Sequence, residues 1–242
     1  MMSLRKTVCY FTAAIFLMLT LISPCVAAHA EAYPHDDNYA VINDPPATLL
    51  IGDADRDGRV TTMDALVVMR YVMGIANDID GLGFACSDVD CDGNVYATDA
   101  LLILRARMGL SIFPGSRKVD FLNSLFQQMG KPYVRGGSGP DVFDCSGLAY
   151  YCLNESGYPI GRWTAAAYAG NEDWVRIGII GELKPGDLMF FKTSSDTNVS
   201  HMGVYIGDDM LIHASYSQQK VVIATMASWF VTNFYCGRRV DF

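Results

Sequence analysis

Cys145, His201 and His213 have the types and surroundings for nucleophilic chemistry in this 242-residue chain. Cys145 stands in Asp-Cys-Ser-Gly-Leu, after a glycine-rich loop (Gly136, Gly137, Gly139, Pro140) and at the start of a stretch with helical spacing. A thiol at a helix N-terminus faces the positive end of the dipole and unpaired N–H groups, and both favour the thiolate. Asp144 is a residue type that caps such a helix. A thiolate also needs an imidazole to move protons. His201 opens the run His-Met-Gly-Val-Tyr-Ile-Gly and His213 closes Met-Leu-Ile-His, with a Gly207-Asp208-Asp209 turn between them. A hairpin there would bring the two rings together, one at the thiol and the other orienting the first.

A second constellation is acidic and repeated. Asp53 to Gly74 and Asp88 to Gly109 align without gaps at an offset of 35, with 11 of 22 positions identical. That similarity marks an internal duplication. Asp53, Asp55, Asp57 and Asp64 fall at loop positions 1, 3, 5 and 12, with Gly58 at position 6; Asp88, Asp90, Asp92, Asp99 and Gly93 repeat the pattern. Alternate residues along a wrapped backbone point oxygens inward, and the glycine permits the sharp turn, as in a calcium loop of EF-hand type. The carbonyls of Arg59 and Asn94 would serve at position 7. Hard oxygen donors at this density suit calcium better than zinc or copper. Each loop runs into a helix, and no matching helix is expected before either loop.

The elements that must hold these groups follow from composition and periodicity. Arg5 and Lys6, the apolar run Phe11 to Ile22 and Ala28-His29-Ala30 read as an export signal cleaved after Ala30. Residues 31–48 read as a proline-bearing linker with no core of its own, residues 49–112 as the calcium module, and residues 117–242 as the domain that carries Cys145. In that last part Val119 to Met129 and Cys145 to Ser156 read as helices. Asp187 to Lys192, His201 to Ile206, Met210 to His213, Val221 to Ala224 and Gly237 to Val240 read as strands. Helices first and strands after give an α+β domain with the helices on one face of an antiparallel sheet. The formal net charge is −8, and −10 once Arg5 and Lys6 are removed, which argues against a nucleic-acid or anionic-membrane binder. Without the leader, five cysteines remain, an odd number with no evident disulfide framework.

Two family resemblances cover these parts. Leu49 to Leu110 resembles a dockerin, a small all-α module of two calcium loop-helix repeats that plugs enzymes into the cohesins of a cellulosome scaffold. Arg70/Gly74 and Arg105/Gly109 close its halves. The residues matching the cohesin-reading positions are Thr62 and Met63 in one half and Ala97 and Thr98 in the other, with Arg70 and Arg105 beyond them. The pairs differ, so the halves are not equivalent faces. The resemblance implies two structural calcium ions and a cohesin partner.

Phe121 to Val240 resembles an NlpC/P60 domain, a papain-like cysteine peptidase acting on cell-wall peptides. The matching segments are Gly130-Lys-Pro-Tyr-Val-Arg-Gly-Gly, Phe143-Asp-Cys-Ser-Gly-Leu, Leu183-Lys-Pro-Gly-Asp-Leu-Met-Phe-Phe, His201-Met-Gly-Val-Tyr-Ile-Gly and Ile212-His-Ala. The resemblance implies Cys145 as nucleophile, His201 as general base and acid, and His213 as the residue orienting His201. Tyr133, Asp144 and Ser146 match positions that hold a substrate's free amine. The family's glutamine near Thr164-Ala-Ala-Ala-Tyr is absent. No catalytic cofactor is implied. The implied activity is a secreted peptidoglycan endopeptidase, extracellular and associated with a cellulosome or the cell surface, without a membrane span in the mature form. Another papain-like thiol amidase or acyltransferase, and a non-catalytic calcium-dependent binding protein, are the alternatives.

Overall fold

The computed structural model describes residues 39–111, 113, 116–193 and 195–242. The expected export signal lies outside them. Among the described residues, no helix is long and apolar enough to cross a membrane.

The architecture is α+β. One antiparallel sheet carries seven strands in the order β1-β6-β5-β4-β3-β7-β2. They are β1 Val41–Ile42, β2 Val175–Ile177, β3 Leu188–Phe191, β4 His201–Gly207, β5 Met210–Ser215, β6 Lys220–Thr225 and β7 Phe234–Arg239. The central strands are apolar on both faces because both are covered. One core gathers Phe121, Leu125, Leu148, Leu153, Phe190 and Ile212 under helices α4 (Arg117–Gln127) and α5 (Cys145–Glu155). On the other face Phe191, Leu211, Trp229 and Phe230 pack under α7 (Ser228–Asn233). The short α6 (Ala165–Ala169) packs near β3, β4 and β7.

The acidic repeats form helices α1 (Thr62–Val72) and α3 (Ala97–Arg107), which pack on each other around Val68 and Ile103. Two expectations fail here. A helix does precede the second loop: α2 (Gly81–Ser87) ends one residue before Asp88. Gly81 and Gly83 weaken its helical signal in sequence; Asp80 caps it by accepting from the Gly83 N–H at 2.6 Å. Burial of Leu82, Ala85 and Cys86 against the α4–α5 core supplies what propensity lacks. The described part of the segment expected as a linker, residues 39–48, also enters the fold. Tyr39 is buried against Phe230, and β1 pairs with β6. Two paired residues are too short to carry an alternating pattern, which is why this strand escapes the sequence.

Candidate active site

Strand pairing builds the histidine pair. Asp208 and Asp209 both adopt positive φ, 51° and 53°, which matches a two-residue turn to the twist of its strands. The β4–β5 ladder that follows places His201 Nε2 2.8 Å from His213 Nδ1, both rings buried. The sheet's aromatic face holds them: Phe191 stacks on His201 at 5.9 Å between centroids, and Phe230 meets His213 edge-on at 5.5 Å. Tyr39 adds a ring 6.0 Å from His213, and its hydroxyl bonds Ser215 at 3.1 Å. Tyr39 and Phe230 are site-wall residues that the sequence reading missed. Tyr39 lay in a segment with no motif, and only the pairing of β1 with β6 carries it there.

Helix α5 brings Cys145 to this strand pair, packing on β4 and β5. Asp144 caps the helix through the Gly147 N–H at 2.6 Å. Its other oxygen accepts from the Gly136 N–H at 2.9 Å, which ties the glycine-rich loop to the start of the helix. That loop approaches so closely that a Cβ on Gly147 would stand 1.8 Å from the Gly137 carbonyl oxygen. The backbone N–H groups of Met202, next to His201, and of Ser146 both point to the Cys145 sulfur and stabilise its thiolate.

The free thiolate expected from the helix dipole is not what the environment favours. Cys145 is half-buried by surface, yet protein crowds its thiol. Burial pushes its pKa up to about 12, and the adjacent Asp144 carboxylate acts in the same direction. Desolvation outweighs the dipole and the two N–H groups. A resting thiol that surrenders its proton to an imidazole fits this site better than a preformed anion.

Arg162 is a further residue the sequence reading did not single out. Its guanidinium reaches the Asp144 carboxylate at 2.7 Å, the Ser146 hydroxyl at 2.8 Å and the Ser138 hydroxyl at 2.7 Å. Asp144 and Ser146 stand together as expected, bonded at 3.0 Å, with Arg162 upon them. Tyr133 meets Tyr216 edge-on at 5.6 Å, and its backbone bridges to Phe143, two residues before Cys145.

The acidic loops close as the spacing requires. Gly58 and Gly93 both take φ of 86°. Carboxylate oxygens of Asp53, Asp55 and Asp57 lie within 4.8 Å of one another, and so do those of Asp88, Asp90 and Asp99. Asp64 turns its oxygens to backbone N–H groups of Ala54 (2.8 Å) and Thr61 (2.6 Å), and Asp92 accepts from Asn94. Burial raises the Asp53 and Asp99 pKa values, and neighbouring carboxylates raise them further. A divalent cation removes that repulsion, so the donor set fits calcium. Thr62, Met63, Ala97, Thr98 and Arg105 are exposed at the outer ends and faces of α1 and α3; Arg70 is half-buried and pairs with Asp78 at 3.2 Å. The five cysteines among the described residues are free thiols.

Comparison with known proteins agrees with both halves. Residues 130–240 match the NlpC/P60 family. Residues 51–106 match the Dockerin type I domain. The first match spans Cys145, His201 and His213, and the second spans both acidic loops. The Dockerin type I match implies calcium binding.

Among curated relatives, Murein DD-endopeptidase MepH of Escherichia coli (strain K12) is 37% identical over 119 residues, 49% of this chain and 44% of its own. Probable endopeptidase YafL of the same organism is 35% identical over 127 residues, 49% of this chain and 47% of its own. The chain thus spans less than half the length of either. The solved NlpC/p60 domain of peptidoglycan hydrolase SagA is 27% identical, covering 51% of this chain and 98% of that one, with a TM-score of 0.42.

Proposed function

We propose that the chain is a secreted cysteine endopeptidase that cleaves peptidoglycan stem peptides and is held on a scaffold by calcium-dependent docking of its dockerin to a cohesin. The observation that carries the catalytic reading is the 2.8 Å contact between His201 Nε2 and His213 Nδ1, beside a helix that begins at Cys145. With Nε2 engaged by His213, Nδ1 of His201 is the atom that takes the Cys145 proton. The thiolate forms as it attacks the amide carbonyl, so the raised thiol pKa is met by proton transfer within the pair. The backbone N–H of Cys145 stabilises the oxyanion. The His201 imidazolium then protonates the leaving amine, and water releases the acyl group. His213 holds the His201 ring and makes no bond to substrate.

The scissile bond we assign is the link from D-γ-glutamate to the diamino acid, with Tyr133, Asp144 and Ser146 holding the free amine of the stem peptide. One observation favours a second reading. Arg162 already neutralises Asp144 and bonds Ser146, leaving little net negative charge for an ammonium. The relative at 37% identity is named a DD-endopeptidase, which makes the peptide cross-bridge the second candidate bond. Mass spectrometry of peptidoglycan digests made with wild-type and Cys145→Ala protein tests both readings. New disaccharide-dipeptides in the wild-type digest alone support the γ-glutamyl bond, and loss of cross-linked dimers alone supports the other. Identical digests from the two proteins would sink the peptidase reading.

Calcium at the two loops would be bound by Asp53, Asp55, Asp57 and Asp64, and by Asp88, Asp90, Asp92 and Asp99, with the carbonyls of Arg59 and Asn94. Two ions are proposed because the loops are equivalent in spacing. Thr62, Met63 and Arg70, with Ala97, Thr98 and Arg105, form the surface offered to the cohesin. The export signal at residues 1–30, a dockerin at 49–112 and a catalytic domain at 117–242 complete the reading. It places the mature protein outside the cell.

A further inference from the structure

The two acidic loops are alike in sequence and differ in what they touch. Around the second loop, four contacts reach into the catalytic domain. Helix α2, one residue upstream of Asp88, buries Leu82, Ala85 and Cys86 in the same core as Phe121, Leu122 and Leu148. Its first residue meets the β4–β5 turn backbone to backbone. The Gly81 N–H donates to the Asp208 carboxylate at 3.1 Å, and a Cβ on Gly81 would stand 2.4 Å from the Gly207 Cα. Within the loop, Lys184 Nζ donates to the Gly93 carbonyl and, at 3.2 Å, to Asn94 Oδ1. Lys118, in the first turn of α4, donates to Asp88 Oδ2 at 3.1 Å.

The Asp88 carboxylate is the point of coupling. Its Oδ2 accepts from Lys118 and from the Gly93 N–H at 3.0 Å, while its Oδ1 is buried without a hydrogen-bond partner among the described residues. A buried oxygen left so is costly. A hard cation shared with Asp90 and Asp99 relieves that cost, with Lys118 fixing the ligand from behind. In the first loop Asp53 accepts only from backbone groups of its own loop, Asp57 and Gly58. No lysine from the catalytic domain is bonded to it among the described contacts.

We propose that the second calcium loop is a stabilising part of the catalytic domain, so that the ion held by Asp88, Asp90 and Asp99 keeps the domain of Cys145 folded. This rests on the calcium reading above. Without the ion, three carboxylates repel, and displacing them pulls on Lys118 at the start of α4 and on α2, whose apolar residues lie in the catalytic core. A ligand that binds only the folded form stabilises whatever unfolds with its site.

Trp163, Trp174 and Trp229 are the three tryptophans, and all lie in the catalytic domain, so their emission reports that domain alone. The experiment is thermal unfolding of the full chain followed by tryptophan emission, in saturating calcium chloride and in chelator, with calcium binding measured calorimetrically on the same preparation. The expected result is a midpoint higher in calcium by about 5 °C or more. Calcium binding with an unmoved tryptophan transition overturns the inference and leaves the calcium reading standing. Absence of calcium binding overturns both. In Gly81→Val the added bulk meets Gly207, and the expected result is retained calcium binding with a diminished tryptophan shift. Retention of both binding and the full shift would overturn the route through α2. If that variant binds no calcium, the wild-type comparison still decides.

Discussion

At the residue scale, the histidine pair and the buried thiol set the strongest expectations. Cys145→Ala and His201→Ala should each lower hydrolysis of purified muropeptides by at least about a thousandfold while leaving the thermal midpoint near wild type. Wild-type turnover by either folded variant would remove the mechanism. His213→Asn should keep more activity than His213→Ala, because an amide can still hydrogen-bond the His201 ring; equal rates would argue against an orienting role. The thiol gives a pH test with a definite sign. The pKa of Cys145 is raised to about 12, so without an imidazole to accept the proton the reactive anion is scarce at neutral pH. Iodoacetamide alkylation of His201→Ala should therefore be slow at pH 7 and climb about tenfold per pH unit toward that value. With His201 in place to take the proton under the proposed mechanism, the wild-type protein should label fast at pH 7. Fast neutral labelling of His201→Ala would mean that the helix terminus alone activates the sulfur. These residues were legible in sequence because Asp-Cys-Ser-Gly and the two histidine runs are local patterns. The thiol's raised pKa was not legible. It depends on how densely β4 and the glycine-rich loop pack around the sulfur, and no spacing encodes that.

At the element scale, the site depends on close approach between pieces distant in sequence. Gly147→Ala should destabilise the protein by about 3 kcal/mol or more, measured by denaturant unfolding, because its Cβ would stand 1.8 Å from the Gly137 carbonyl with backbone on both sides. A loss under about 1 kcal/mol would show that the loop can retreat. Tyr39 gives a test on the other side of the site. Its ring packs on Phe230 at 5.2 Å and its hydroxyl bonds Ser215. Tyr39→Phe should cost about 1 kcal/mol and Tyr39→Ala about 3 kcal/mol in the same measurement. No change from Tyr39→Ala would mean that β1 is dispensable to the fold. The helices α4 and α5 and the strands β3 to β7 were readable from periodicity. The strands β1 and β2, of two and three residues, and the helices α2, α6 and α7, of seven residues or fewer, were not, since each holds less than two full periods of its own pattern and rests on tertiary burial.

At the scale of the whole molecule, the acidic module and the catalytic domain share a core through Leu49, Leu82, Ala85 and Cys86. Met63, Leu66, Leu101 and Met108 of the module are exposed. Chelation should abolish binding to a cohesin in a pull-down with purified scaffold module, and restored calcium should recover it. Cohesin capture that persists in chelator would contradict the docking role. The sequence alone determined the two acidic loops of equal spacing, the helices α4 and α5 ahead of the strands β3 to β7, and which cysteine and histidines could form a site. Those are encoded by residue type at short fixed spacing, where backbone geometry leaves few alternatives. Only the tertiary structure decided that Arg162 sits on Asp144 and Ser146, that Tyr39 walls the histidine pair, and that Lys118 reaches Asp88 across the module boundary. These are contacts between side chains 16 to 174 positions apart. Packing sets them, and it depends on every element at once.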